Sequence, residues 1–147
     1  STISEVQGAL GYKLIDKLVD FTNRRRALSE KIRSSLEKIP ELSFQKFSIK
    51  ESHSHHLMPV RIQSNLWDRD HLISKLYNDY KIKCIIQYLP LNRYDLFKKL
   101  NYKSTDLKNT DEFFDNMLSL PFSIILSDKQ VDYMIESVHK AIKELNS

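Results

Sequence analysis

Glycine is almost missing from this chain: 147 residues contain only Gly8 and Gly11, and both fall within one helical stretch. Glycine enters the left-handed backbone region at no steric cost and lets a main chain approach a ligand closely. Without glycine elsewhere, a chain cannot build a glycine-rich phosphate loop, a dinucleotide-binding fingerprint or a nucleophile elbow. Any nucleotide or phosphate chemistry must then come from another domain or another chain. The elements left to it are helices and short strands.

Apolar spacing places those elements. Val6, Leu10, Leu14 and Leu18 recur every fourth residue, which predicts a helix over 4–18. Phe21, Leu28, Ile32, Leu36 and Ile39 continue the helical pattern without a strong break until Pro40 stops it. Leu42 and Phe44 share a face of a short strand over 41–47, whose alternation fails at Lys46 and Phe47. Over 57–63, Met58, Val60 and Ile62 face one way and Arg61 and Gln63 the other. Pro59 assigns that strand to an edge or a bulge. Asp68 is a candidate N-cap for a helix carrying Leu72, Ile73, Leu76, Tyr77 and Tyr80. Residues 95–100 form one or two helical turns, 103–110 a polar linker, 111–117 a short helix with Phe113 and Phe114, and 118–121 an extended segment. Ser127 to Gln130 has capping-box spacing, and Val131, Met134, Ile135, Val138, Ile142 and Leu145 make the last helix amphipathic.

That order implies an α+β two-layer sandwich, with a small, mostly antiparallel sheet and helices packed on one face. The chain is expected to be a single domain over 1–147. Its start at Ser1, followed at once by a helical pattern, suggests a piece of a longer protein.

Composition narrows the function classes. With 41% hydrophobic and 29% charged residues, the chain fits a soluble globular protein. It has no apolar run long enough to span a membrane and no signal segment at its start. The net charge of +4 is carried by scattered lysines and one dense run, Arg24-Arg25-Arg26. Consecutive helical residues point about 100° apart, so this run cannot form one stripe and reads as a solvated face. Neither nucleic acid nor a membrane is an expected partner. The single cysteine, Cys84, excludes an internal disulfide and fits a reducing, cytoplasmic setting; it reads as a small buried hydrophobe.

Most chemical motifs dissolve on inspection. His53, His55 and His56 cluster, but no cysteine or Asp/Glu-rich partner motif lies nearby to complete a metal site, so two are solvated and His56 begins a strand. Ser35-Leu36-Glu37-Lys38 matches a Ser-x-x-Lys string on a helix flank, with nothing to lower the lysine pKa. Glu112, Asp115, Asp128 and Asp132 read as helix N-terminal charges favoured by the macrodipole. No catalytic residue can be assigned from these strings.

One stretch stands apart. Ile82, Cys84, Ile86 and Tyr88 share one face of an extended segment whose pairing stops near Leu89, because Pro90 has no N–H to donate. Just beyond lie Asn92, Arg93 and Tyr94, which offer amide, guanidinium and phenol groups at the end of a supported strand.

Five strings, in order along the chain, resemble one family. Ser4-Glu5-Val6-Gln7-Gly8-Ala9-Leu10-Gly11 is similar to the helix start S-E-x-Q-A-A-L-G of the DegT/DnrJ/StrS sugar aminotransferases. Residues 17–36, with the arginine run, resemble that family's R-R-x-x-A-x-x-Y-x-x-x-L helix. His56-Leu57-Met58-Pro59-Val60-Arg61 resembles H-L-x-P-V-R, and Tyr88-Leu89-Pro90-Leu91-Asn92 resembles Y-x-P-L-H. Leu118-Ser119-Leu120-Pro121, Leu126-Ser127 and Val131-Asp132-Tyr133 with Ile135 resemble the closing strings.

The resemblance implies the C-terminal small domain of a fold-type I, pyridoxal-phosphate-dependent aminotransferase. Such enzymes move an amino group from an amino acid, often glutamate, to a nucleotide-linked keto sugar. The family's large domain carries the Schiff-base lysine and the phosphate cup, so this piece alone is expected to be inactive. Full-length relatives dimerise around their active sites, which implies a homodimer. Within the chain the resemblance singles out Tyr88, Asn92 and Arg93 as substrate-binding residues. Asn92 stands where the family commonly has His, and an amide does not titrate near neutral pH, so its role there is recognition and not proton transfer. Three alternatives stay open: a stand-alone α+β ligand-binding or regulatory module, a protein-interaction domain using the helix of Arg24 to Arg26, and a turn-capping role for Asn92.

Overall fold

A computed structural model describes residues 2–46, 53–100 and 107–147. Its elements run α1 (Glu5–Ile15), α2 (Leu18–Leu36), β1 (Leu42–Phe44), β2 (Met58–Ile62), α3 (Arg69–Tyr80), α4 (Asp95–Lys99), α5 (Lys108–Asn116), β3 (Met117–Leu120) and α6 (Asp128–Leu145). The strands form one antiparallel sheet in the order β1-β2-β3, so the expected α+β architecture is the one observed.

The sheet's two faces differ because strand side chains alternate. Leu42, Met58, Val60, Ile62, Leu118 and Leu120 are buried on one face. α2, α3 and α6 cover that face with Leu28, Ile32, Leu36, Leu72, Leu76, Val131, Val138 and Ile142. Polar ties fix the helices over it. Arg24 of α2 donates to Asp128 Oδ1 at 2.8 Å and to the Leu126 carbonyl at 3.0 Å, and Lys31 pairs with Asp132 at 2.6 Å. Lys75 of α3 reaches Glu144 of α6 at 2.7 Å. The Trp67 indole N–H donates to Asn146 Oδ1 at 2.8 Å, and Asn146 donates onward to Glu41.

Several expectations need correction. The first helix ends at Ile15, and Leu18 opens α2 instead of closing α1. β1 stops at Phe44, short of the expected 41–47; position 47 lies outside the described residues. β2 is the central strand, not an edge, although it contains Pro59. The Gln63 N–H donates to the Glu41 carbonyl, so Pro59, four residues earlier on the same strand, also points its backbone toward β1. β1 ends at Phe44, before it could pair there, and the missing proline donor costs no ladder bond.

The extended segment 82–89 is not a strand. It joins β3 through a single bridge, in which the Ile85 N–H donates to the Ser119 carbonyl at 3.1 Å and Ser119 returns the bond at 2.7 Å. The next antiparallel pair on one side would set Lys83 against Pro121, which has no donor, so the ladder is weakened on that side. Its apolar face is cut short too: Ile82 and Cys84 are buried, but Ile86 and Tyr88 are exposed. Lastly, α5 begins at Lys108, so 108–110 are helix and not linker; 103–106 lie outside the described residues.

Candidate functional site

The loop after Ile85 is built around buried Pro90. The Arg93 N–H donates to the Pro90 carbonyl at 2.9 Å and the Tyr94 N–H to the Leu91 carbonyl at 3.2 Å, closing a 3-10 turn over Leu91–Arg93. α4 follows directly. Tyr88 stands 66% exposed before this turn. Asn92 is half-buried, and its Oδ1 is shielded from solvent with no hydrogen-bond partner among the described residues. Gln87 Oε1 is in the same condition. A shielded polar atom without a partner is costly to keep, so each is an acceptor waiting for a donor.

Arg93 is fully engaged. Its Nε donates to Asp111 Oδ1 at 2.6 Å, and its two terminal nitrogens take the Asp115 carboxylate as a fork at 2.6 and 2.8 Å. The guanidinium also lies over the Phe114 ring, 5.2 Å from its centroid. Bidentate pairing of this kind fixes geometry as well as charge. It holds the Asp115 carboxyl below its usual pKa and raises the arginine's, chiefly through the hydrogen bonds between them.

Two further arginines grip the same short helix. Arg69 of α3 donates to the Phe114 carbonyl at 2.7 Å, and Arg61 of β2 pairs with Glu112. Arg61 alternates with buried Val60 and Ile62, so it points to the sheet's second face, and α5 therefore lies on that face. α5 buries none of its residues. It is placed by three arginines from three elements rather than by an apolar stripe.

The other candidates separate cleanly. Glu112, Asp115, Asp128 and Asp132 are not merely N-terminal helix charges; each pairs with a cation on another element, respectively Arg61, Arg93, Arg24 and Lys31. Arg24 is accordingly a tether between α2 and α6, not part of a solvated face. His55 is buried, against the expectation that it and His53 are solvated, and strand β2 starts at Met58 rather than His56. The His55 N–H donates to His53 Nδ1 at 2.9 Å, and burial, then His53, Arg26 and Arg33, hold its pKa below the ordinary value. Among the described residues no group of three or more His, Cys, Asp or Glu could hold a metal ion. Cys84 is buried as expected, and burial pushes its thiol pKa up to about 12, which leaves it a poor nucleophile at neutral pH. No helix among the described residues is long and apolar enough to cross a membrane.

From the sequence, Asp115 is singled out only as a helix charge, Asp111 is passed over, and neither is paired with Arg93. The two aspartates sit four apart on one helix face with Phe114 between them, a spacing that could have marked a receptor for an arginine.

Comparison with known proteins places this geometry. The chain is 26% identical over 142 residues to the spore coat polysaccharide biosynthesis protein SpsC of Bacillus subtilis (strain 168), covering 95% of this chain and 36% of that protein. It superposes on the putative sugar aminotransferase Spr1654 of Streptococcus pneumoniae in its PMP form with a TM-score of 0.84, at 24% identity, over 98% of this chain and 36% of that one. PseC of Helicobacter pylori, an aminotransferase involved in the biosynthesis of pseudoaminic acid, gives 0.83 at 22% identity, over 97% and 38%. The chain thus spans about a third of the length of these relatives. The model of the DegT/DnrJ/EryC1/StrS aminotransferase family matches residues 1–139, and the chain belongs to that family.

Proposed function

We propose that this chain is the small C-terminal domain of a pyridoxal-phosphate-dependent aminotransferase. The enzyme moves an amino group from an amino acid, with glutamate the expected donor, to a keto sugar carried on a nucleotide. The observation that carries the reading is the family match over nearly the whole chain. The full-length enzyme is read as a cytoplasmic homodimer.

We read the cofactor as held mainly outside the described residues. No lysine among them is buried, and Lys31 and Lys75 are spent on ion pairs with carboxylates. Gly8 and Gly11 lie inside α1, where an added Cβ would meet nothing closer than the Ile3 side chain at 3.8 Å, so neither is shaped for close approach of a phosphate. The cofactor is held by the remaining two thirds of the length its relatives have, and this domain alone is inactive.

Within the loop, Tyr88, Asn92 and Arg93 take distinct tasks in recognition. Tyr88 presents an exposed phenol, and Asn92 carries an unpartnered acceptor that a sugar hydroxyl satisfies once the side chain turns outward. Arg93, with its nitrogens already on Asp111 and Asp115, holds the turn that presents both. Asn92→Ala in the natural-length enzyme should raise KM for the nucleotide sugar roughly tenfold with little change in kcat, since only uniform binding is lost. A protein that neither takes up the cofactor, by absorbance, nor transfers an amino group in a donor and acceptor screen would sink the reading.

A further inference from the structure

A second concave site lies where the end of α3 meets the first turns of α6. It is a groove of about 470 Å³, inside the range of roughly 300–1,000 Å³ typical of small-molecule sites. Its floor is apolar, with Ile82 and Met134 buried and Pro121 and Leu126 half-buried. Lys81, Lys83 and Lys129 stand around it, and no carboxylate lines it.

The nearby acids are spent elsewhere. Asp128 faces Arg24 and Asp132 faces Lys31, both on α2, so neither neutralises the lysines. Lys81 is fixed in place: it caps α3 in the left-handed conformation with φ 57°, and its Nζ donates to the Asn78 carbonyl at 2.7 Å. Lys83 and Lys129 have no ion-pair partner among the described residues. One side of the groove is the Tyr133 ring, 52% exposed, whose hydroxyl is tied down by donating to the Tyr80 carbonyl at 3.0 Å.

A concave surface with an apolar floor, one anchored aromatic ring and three like charges is complementary to an anion with a planar body. Lysines take phosphate as point charges, and an aromatic face stacks on any base. We propose that this groove binds a nucleoside phosphate, with the phosphate between Lys83 and Lys129 and the base against Tyr133. The site is separate from the substrate loop. None of its lining residues belongs to 87–94 or to α5, and it stands whether or not the aminotransferase reading does.

The test is lysine acylation footprinting of the protein at its natural length, with adenosine 5′-monophosphate as probe and peptide masses as readout. With the nucleotide at about ten times its Kd, Lys83 and Lys129 should be protected about tenfold, as occupancy of one site requires. Adenosine alone should protect neither. Lys83→Ala with Lys129→Ala should remove the saturable binding seen by calorimetry at this site. Tyr133→Ala should weaken the nucleotide and leave inorganic phosphate unchanged, and Tyr133→Phe, which keeps the ring, should behave as wild type. Asn92→Ala should leave the footprint intact. Equal acylation with and without the nucleotide overturns the proposal. So does equal protection by inorganic phosphate, or a footprint that disappears with Asn92→Ala, which would locate the nucleotide at the loop instead.

Discussion

α1 and α6 begin alike and end up in opposite surroundings. Each opens with a serine that accepts from a glutamine N–H at 3.3 Å, while that glutamine's Oε1 accepts from the serine N–H at 2.9 Å: Ser4 with Gln7, Ser127 with Gln130. Both helices carry apolar residues at three- and four-residue spacing. α6 buries Val131, Met134, Ile135, Val138, Ala141 and Ile142 against the sheet and its neighbours. α1 buries nothing, and Val6 and Leu10 are 79% and 60% exposed. A cap and an apolar period start a helix and give it a face. They do not say what lies opposite that face.

The largest test of this contrast is truncation. Ile142→Ala should cost about 2–5 kcal/mol in chemical denaturation, because a cavity is left in a packed core. Leu10→Ala should stay within about 0.5 kcal/mol, as an exposed site does. A comparable loss at Leu10 in this chain would break the comparison.

The caps give the next effect. Ser127→Ala should lower global stability by about 1 kcal/mol, since α6 belongs to the cooperative core. Ser4→Ala removes the same bonds but should show only as faster hydrogen exchange in the first turn of α1, because that helix opens locally.

α5 extends the contrast to a helix held by charge. Arg93→Ala should raise hydrogen exchange over Lys108–Asn116 roughly tenfold with little change in global stability, since the helix buries no residue of its own. Arg93→Lys should rescue poorly because an ammonium cannot span two carboxylates as a fork. Acid should open the same contact. Asp115 has a folded pKa below its ordinary 3.8, so its contribution is complete above that value and is lost as pH falls through the lower folded one.

The smallest expected effect is at His55. Its folded pKa lies below 6.5, so the unfolded chain binds the proton more readily, and stability should fall as pH drops below about 6.5. His55→Asn, which tolerates the positive φ of 48° there, should flatten that part of the pH–stability curve.

The segment 82–94 shows how far the chain could be read in advance. The break in the chain at Pro90 and the polar residues beyond it were legible, because a proline and a run of Asn, Arg and Tyr are local facts, but pairing ends earlier, at Ile85. That the segment would make one bridge and not a strand was not legible: on one side it depends on Pro121 lying across from Lys83, a coincidence of register. Nor did Arg93 announce its partners. Asp111 and Asp115 stand about twenty positions away, and only folding brings them within 2.6 Å.

The sequence by itself determined where the capped helices α1, α3 and α6 start, which residues alternate in β2, that no glycine-built phosphate loop exists, and that the family strings fall in order. These follow from backbone sterics and side-chain period, which act over a few residues. Tertiary structure alone decided that β2 is central despite Pro59, that four scattered acids become partners of four cations, and that α6's stripe is covered while α1's is not. Those outcomes depend on which surfaces meet, and contact between distant segments has no local signature in the chain.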